Sequence, residues 1–227
     1  EDQIDGLAFS PDLQALVIQS SAGVLTMNTK TGAFSPLVKC YGLSPIEYRI
    51  HSSKPEFLAW KLDGKLAMFD WLTGEVVSTV ALNEQAARAR FTPDGAHFVT
   101  ADPTDGLCFF DTEPKAVTTA TGTELVHKRL AQMVTLIDRE TAVDDPRHYT
   151  WLVLDPEGRY DAPDPSHVNS AKYVLRWDNG LEPISVNQFK QQFYEPGLLG
   201  KILGSNKEAL RPVPNLESLR LYPEIRV

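Results

Sequence analysis

The chain has 227 residues, 42% of them hydrophobic, with a formal net charge of -8 and a pI near 5.1. That charge argues against a nucleic-acid partner, because affinity for a phosphate backbone comes from clustered Lys and Arg. No apolar run approaches the roughly 18 to 20 residues that a membrane-spanning helix needs, so a membrane partner is not expected either. The chain opens Glu1-Asp2-Gln3-Ile4 without Met, and its first residues already belong to a repeat. It therefore reads as a piece of a longer protein whose targeting signal would lie outside these residues, and a cytoplasmic location is the expectation.

A shift of 41 residues carries Leu16 onto Phe57 and Phe57 onto Phe98, and four further apolar columns follow it. Phe9 meets Ile50 and Phe91; Val17 meets Leu58 and Val99; Leu25 meets Leu66 and Leu107; Met27 meets Met68 and Phe109. Thr31-Gly32 returns one residue out of step as Thr73-Gly74. Within each unit, short apolar runs are punctuated by turn formers. Phe57-Leu58-Ala59-Trp60 leads through Asp63-Gly64 to Leu66-Ala67-Met68-Phe69-Asp70, a predicted hairpin, and Phe98 to Ala101 leads through Asp105-Gly106 to Leu107 to Asp111 in the same way. The turn pattern Ser10-Pro11-Asp12 recurs as Thr92-Pro93-Asp94-Gly95 and Asp155-Pro156-Glu157-Gly158.

A period of about 40 to 45 residues built from short strands is the signature of propeller blades, each stacking on its neighbours because one sheet cannot bury both faces alone. These residues resemble the WD40 β-propeller superfamily. The departure is that Asn28-Thr29, Phe69-Asp70 and Phe110-Asp111 stand where a Trp-Asp dipeptide would end the strand. A fourth unit is irregular: Pro156 lies 63 residues after Pro93, so an insertion falls between about Thr112 and His148. There Thr121-Gly122-Thr123-Glu124 restarts a blade end, Leu125 to Ile137 forms a strand or a short helix, and Asp144-Asp145-Pro146-Arg147 is a loop.

Tyr173 to Trp177 and Leu181 to Ile184 flank Asp178-Asn179-Gly180, a predicted tight hairpin. Ser185-Val186-Asn187-Gln188 has capping-box spacing, with Ile184 and Phe189 as a hydrophobic staple, so a helix is predicted from Val186 with Phe189 and Phe193 on its inner face. Glu195-Pro196 interrupts it, and a second helix carries Leu198, Leu199, Ile202 and Leu203 until Gly204. From Ser205, Pro212, Pro214 and Pro223 indicate an extended connector, partly docked through Leu216, Leu219 and Leu221.

The stretch from Trp151 to about Leu203, roughly a quarter of the chain, carries a second likeness at Trp151 to Asp161, Leu175-Arg176-Trp177 and Gln188 to Leu199. This region resembles a segment that follows WD40 repeats in bacterial proteins, many of which hold a caspase-like protease domain elsewhere. The likeness implies a regulatory or recognition region attached to an effector outside these residues.

Neither Cys40, at a blade junction, nor Cys108, on a blade strand, is read as a nucleophile; both suit a small apolar filler. His51, His97, His127, His148 and His167 have no metal-ligand spacing. Gly200-Lys201 fails as a phosphate loop, since Glu195 stands at the first Gly position and Ile202 where Ser or Thr would hold magnesium. Asp161, Asp164 and His167 cluster around Ala162-Pro163-Asp164-Pro165, either as a cation or acid-base site or as a solvated turn. Phe189, Phe193, Leu198 and Leu199 form either a partner-binding face or a face packed on the propeller.

The expectation is an all-β chain of WD40-like β-propeller blades in a partial or open array, with a small C-terminal extension of a hairpin and helices. Its parts are blades over residues 1–165, hairpin and helices over 166–204, and a connector to a further domain over 205–227. No catalytic, cofactor or metal residue is assigned. An interaction surface is expected at Asp161, Asp164, His167, Phe193 and Tyr194. The leading reading is a noncatalytic scaffold or recognition region of a larger bacterial effector, binding protein: the remaining blades, another domain of its polypeptide, or another subunit. The runner-up is a hydrolase using acidic loop residues on the propeller face.

Overall fold

Alternation of apolar and polar residues with period two, broken by Gly, Pro, Asn and Asp, folds this chain mainly into strands. The computed structural model describes residues 3–10, 12–41, 56–61, 65–70, 72–80, 82, 88–102, 106–120, 122–137, 144–145, 149–165, 168, 171–177 and 180–216. Ile50, His51, Asp63, Gly64, Asp105, Pro146, Arg147, His148, His167, Asp178, Asn179, Leu219, Leu221 and Pro223 lie outside them. The chain divides into two compact units, Glu1–Arg129 and Leu130–Val227.

In the first unit, β1 (Ile4–Phe9), β2 (Ala15–Ser20) and β3 (Gly23–Asn28) form an antiparallel sheet, sheet 1. Sheet 2 holds β4 (Cys40–Tyr41), β5 (Glu56–Lys61), β6 (Leu66–Asp70) and β7 (Val76–Val80) in chain order. Sheet 3 holds β8 (Arg88–Phe91), β9 (His97–Asp102) and β10 (Gly106–Asp111). The turns that open sheets 1 and 3 share one chemistry. Ser10 and Thr92 donate their hydroxyls to Asp12 and Asp94, at 2.5 and 2.6 Å, and each carboxylate also accepts the backbone N–H two residues on. Those bonds hold both carboxyls below the usual aspartate range, the hydroxyl contributing most.

The sheets stack face to face, and sheet 2 shows it through its parity. Phe57, Ala59, Ala67 and Phe69 point into one core with Ala15, Val17 and Val24 of sheet 1. Leu58, Leu66 and Met68 point the other way, into a second core with Phe91, Phe98, Cys108 and Phe110 of sheet 3. Four consecutive residues of β6, Leu66 to Phe69, are therefore all buried. Phe57 and Phe98 are 1% and 0% exposed, and each stacks on its cross-strand partner, Phe69 or Phe110.

Leu16 occupies the same column but is only half-buried. The columns drawn through β3 need correction by one residue. Leu16 pairs with Met27, eleven residues on, whereas Phe57 and Phe98 pair with Phe69 and Phe110, twelve on. The turn between β2 and β3 is one residue shorter, so Leu25 matches Ala67 and Cys108, and Met27 matches Phe69 and Phe110. Asn28, Asp70 and Asp111 then coincide as turn residues whose side-chain oxygens accept the following backbone N–H groups. The same slip explains the displaced Thr31-Gly32 and Thr73-Gly74.

Among its described residues the insertion is strand, not helix. β11 (Lys115–Thr119) and β12 (Gly122–His127) form a hairpin that leaves sheet 3 and returns beside β7, with Val126 opposite Thr79 in a parallel pairing. β13 (Arg129–Ile137) begins at the junction of the two units.

In the second unit β13 pairs with β14 (Tyr149–Leu154), which turns through Asp155 to Arg159 into β15 (Tyr160–Asp161). β16 (Lys172–Trp177) and β17 (Gly180–Ser185) form the predicted hairpin. A 3-10 turn, Val186–Phe189, runs directly into α1 (Lys190–Phe193), and α2 (Leu198–Ile202) follows. Ile184, Phe189 and Phe193 share one core with Leu152, Tyr160 and Val168, as the staple and inner face required. The capping box does not form: Ser185 makes no side-chain cap bond and its Oγ is buried without a hydrogen-bond partner. Ser185 is also the last residue of β17, and a 3-10 start carries the first N–H groups away from it.

The proline-containing segment after Ser205 is clasped to this unit. Glu195, buried at 1% exposure, accepts Lys201 Nζ and, at 2.8 Å, Arg211 Nε. Arg159 Nε donates to the Arg211 carbonyl at 2.8 Å while its Nη1 pairs with Asp155. Leu216 lies against Gly158, whose φ of +91° favours glycine and whose missing Cβ leaves room for the leucine: a Cβ there would fall 2.5 Å from Leu216 Cδ1.

Candidate functional site

A nucleophile and base pair is not visible in the sequence, because its members come from strands 49 residues apart. The returning hairpin places His127 Nε2 2.6 Å from Ser78 Oγ, with Nδ1 2.9 Å from the Asp111 carbonyl. A carbonyl only accepts, so in the neutral ring Nδ1 carries the hydrogen and Nε2 accepts from the serine. That is the orientation of an activated serine. Yet His127 is 0% exposed and its ring stands edge-on to Phe98 at 5.2 Å, inside the core between sheets 2 and 3. With no access for a substrate, the pair acts as a buried polar tie joining β7, β10 and β12.

The two thiols are buried. Burial pushes the Cys40 thiol up to about 11, which keeps it protonated at neutral pH and unreactive.

The predicted interaction residues separate in space and in exposure. Phe193 is 0% exposed at the centre of the second unit's core and presents nothing to a partner. Asp161 is buried, and its Oδ2 accepts the Gly197 N–H at 2.8 Å ahead of α2. Burial raises its pKa, offset by the N–H groups of Gly197, Ala162 and Leu198. Tyr194 is half-buried, its ring centroid 5.5 Å from that of Tyr160 and its pKa raised chiefly by burial. Asp164 is exposed on the same loop. His167 lies outside the described residues. Thus Asp161 and Tyr194 meet around Ala162 as part of the scaffold, and Asp164 alone of the described four is exposed. Lys201, beside Gly200, is committed to Glu195 and Glu208.

Among the described residues, sheet 1 carries an exposed apolar face. Its outer face carries two cross-strand rows, Leu7 with Ile18 and Leu25, and Phe9 with Leu16, Met27 and Phe34. Leu7, Phe9 and Phe34 are 61%, 58% and 61% exposed. The two rows are contiguous across the sheet face. Sequence columns predict Leu16 to be covered; they carry no sign that this face of sheet 1 is open.

No family model matches the chain, and no curated protein matches it. Among solved structures it is similar to the Kuenenia stuttgartiensis hydrazine synthase, at 10% identity over 69% of this chain and 64% of that one, with a TM-score of 0.36. It is also similar to the β-propeller domain of Myceliophteria thermophila Cps50 (Swd1), at 16% identity over 72% of this chain and 52% of that one, with a TM-score of 0.42. The chain thus spans less than two thirds of the length of either.

Proposed function

We propose that the chain is a noncatalytic scaffold of β-propeller blades and serves as the recognition region of a larger bacterial effector protein of the caspase-linked kind. The observation that carries the scaffold reading is the serial stacking of sheets 1, 2 and 3 through two shared apolar cores. Repeated sheets of this type expose broad surfaces and rigid edges suited to protein binding. The effector link rests on the likeness carried by Trp151 to Leu199.

The test is to make any effector region of the same reading frame separately and titrate it with the 227-residue chain by calorimetry. A Kd of about 10 µM or tighter supports the reading. No heat of binding, or a reading frame without an effector region, refutes the effector role. Hydrolytic turnover by the chain that disappears in Asp164→Ala would replace the scaffold reading with the hydrolase one.

A further inference from the structure

Each sheet of the first unit has one face toward the sheet before it in sequence and one toward the sheet after it. In sheet 2 the preceding-side face is Phe57, Ala59, Ala67 and Phe69, covered by sheet 1. In sheet 3 the equivalent residues are Phe98, Thr100, Cys108 and Phe110, and the three apolar ones are covered by sheet 2. The register of cross-strand pairs makes Leu16, Ile18, Leu25 and Met27 the same face of sheet 1. Leu7, Phe9 and Phe34 widen it, all three largely exposed.

We propose that this face is a stacking surface for a further β-sheet of the same repeat, carried by the segment of polypeptide that leads into β1. The surface continues an interface used twice inside the unit, and the order is the same both times: the covering sheet is the one immediately earlier in the chain. Its occupant must offer an aliphatic face with the chemistry of Leu58, Leu66 and Met68, which covers the equivalent residues of sheet 3. A second copy fits less well. Stacked head to tail, it would bring up the other face of sheet 3, where Arg88 and Arg90 are exposed opposite Ala101 and Val99, and press two guanidinium groups onto apolar rows. Two copies meeting face to face would repeat neither interface seen within the unit. The inference rests on the scaffold reading only in taking the sheets as serial blades, and its readout is solvent access at sheet 1, which is independent of effector binding.

The experiment compares the 227-residue chain with the natural reading frame extended upstream by two repeats, about 80 residues. Three measurements are made: fluorescence of an apolar dye, broadening of the Met27 methyl resonance by a soluble paramagnetic probe, and the urea midpoint of Leu7→Glu. In the shorter chain, dye binding should drop several-fold in Leu7→Glu with little change in midpoint, because Leu7 is exposed there. In the extended chain, the unsubstituted protein should bind several-fold less dye, Met27 should be shielded, and Leu7→Glu should lower the midpoint clearly. Equal dye binding and equal broadening in the two chains overturn the proposal. A shorter chain that is a stable dimer by light scattering with Met27 already shielded overturns it in favour of a second copy. A reading frame with no such repeat ahead of β1 overturns it outright.

Discussion

Replacing Phe98 by Ala, beside the same change at its two column mates, measures the stacking order directly. The Phe98 ring is fully buried, stacked on Phe110 at 5.0 Å and 9° and met edge-on by Phe91 and His127. Truncating a buried Phe costs about 3 to 5 kcal/mol, the cavity adding to the lost transfer energy, and aromatic pairs account for about 0.5 to 1.5 kcal/mol each. With three ring partners, Phe98→Ala belongs near the top of that range. Phe57→Ala, which loses a stack on Phe69 at 5.4 Å, belongs within the same range. Leu16→Ala should cost about 1 kcal/mol, since a half-buried leucine forfeits only part of its roughly 1.5 to 3 kcal/mol of burial. Against a total of about 5 to 15 kcal/mol, the first change alone removes a third or more of the stability. Urea melts followed by far-ultraviolet circular dichroism supply the test, read as shifts in midpoint at constant slope. A cost below about 1 kcal/mol at Phe98, or equal costs at Leu16 and Phe57, would show the face assignment to be wrong.

Ser185→Ala should stabilise the chain by about 1 kcal/mol, because it removes a buried hydroxyl that has no partner; a loss of that size in the same melts would mean the hydroxyl is bonded after all. Glu195 governs the acid limb of stability. Burial acts to raise its pKa, but the bonds from Lys201 and Arg211 outweigh it and leave the carboxyl below its ordinary 4.5. A depressed folded-state pKa contributes stability that is complete above the unfolded value and lost as pH falls through the folded one. Asp155 and Asp161, raised by burial, act in the opposite sense: their contribution is present below 3.8 and is lost as pH rises through the raised values. The stability gap between the protein and Glu195→Gln should therefore be wide at neutral pH and close below 4.5. Melts at a series of pH values check this, and a gap independent of pH would remove Glu195 from that role.

The stacked sheets are legible in the sequence because burial on two faces forces large apolar residues into fixed columns, and Phe57 and Phe98 obey that rule. The β3 columns fall out of register because a fixed period cannot follow a turn shortened by one residue. The out-of-step Thr31-Gly32 is the visible mark of that turn. Ser185 has the residue type and spacing of a cap, yet spacing along the chain does not say whether the helix opens as an α or a 3-10 turn, and here the 3-10 geometry decides. The Ser78 and His127 contact leaves no local trace, since it depends on a hairpin carrying residue 127 back beside β7. The predicted interaction residues fail to separate core from surface for a similar reason. Phe193 and Tyr194 are neighbours in sequence, but α1 ends between them and turns one inward and the other partly out.

The clasp around Arg211 also determines how the second unit would carry a mechanical load. Tension applied on the C-terminal side of Leu216 meets first the leucine seated over Gly158, then Arg211, whose guanidinium and carbonyl are held by Glu195 and Arg159. Both holds lie on the turn between β14 and β15 or just ahead of α2. The pull is therefore taken by side-chain links before it reaches the backbone ladder between β13 and β14, and the segment works as a strain relief, like the knot that spares a cable's soldered joint.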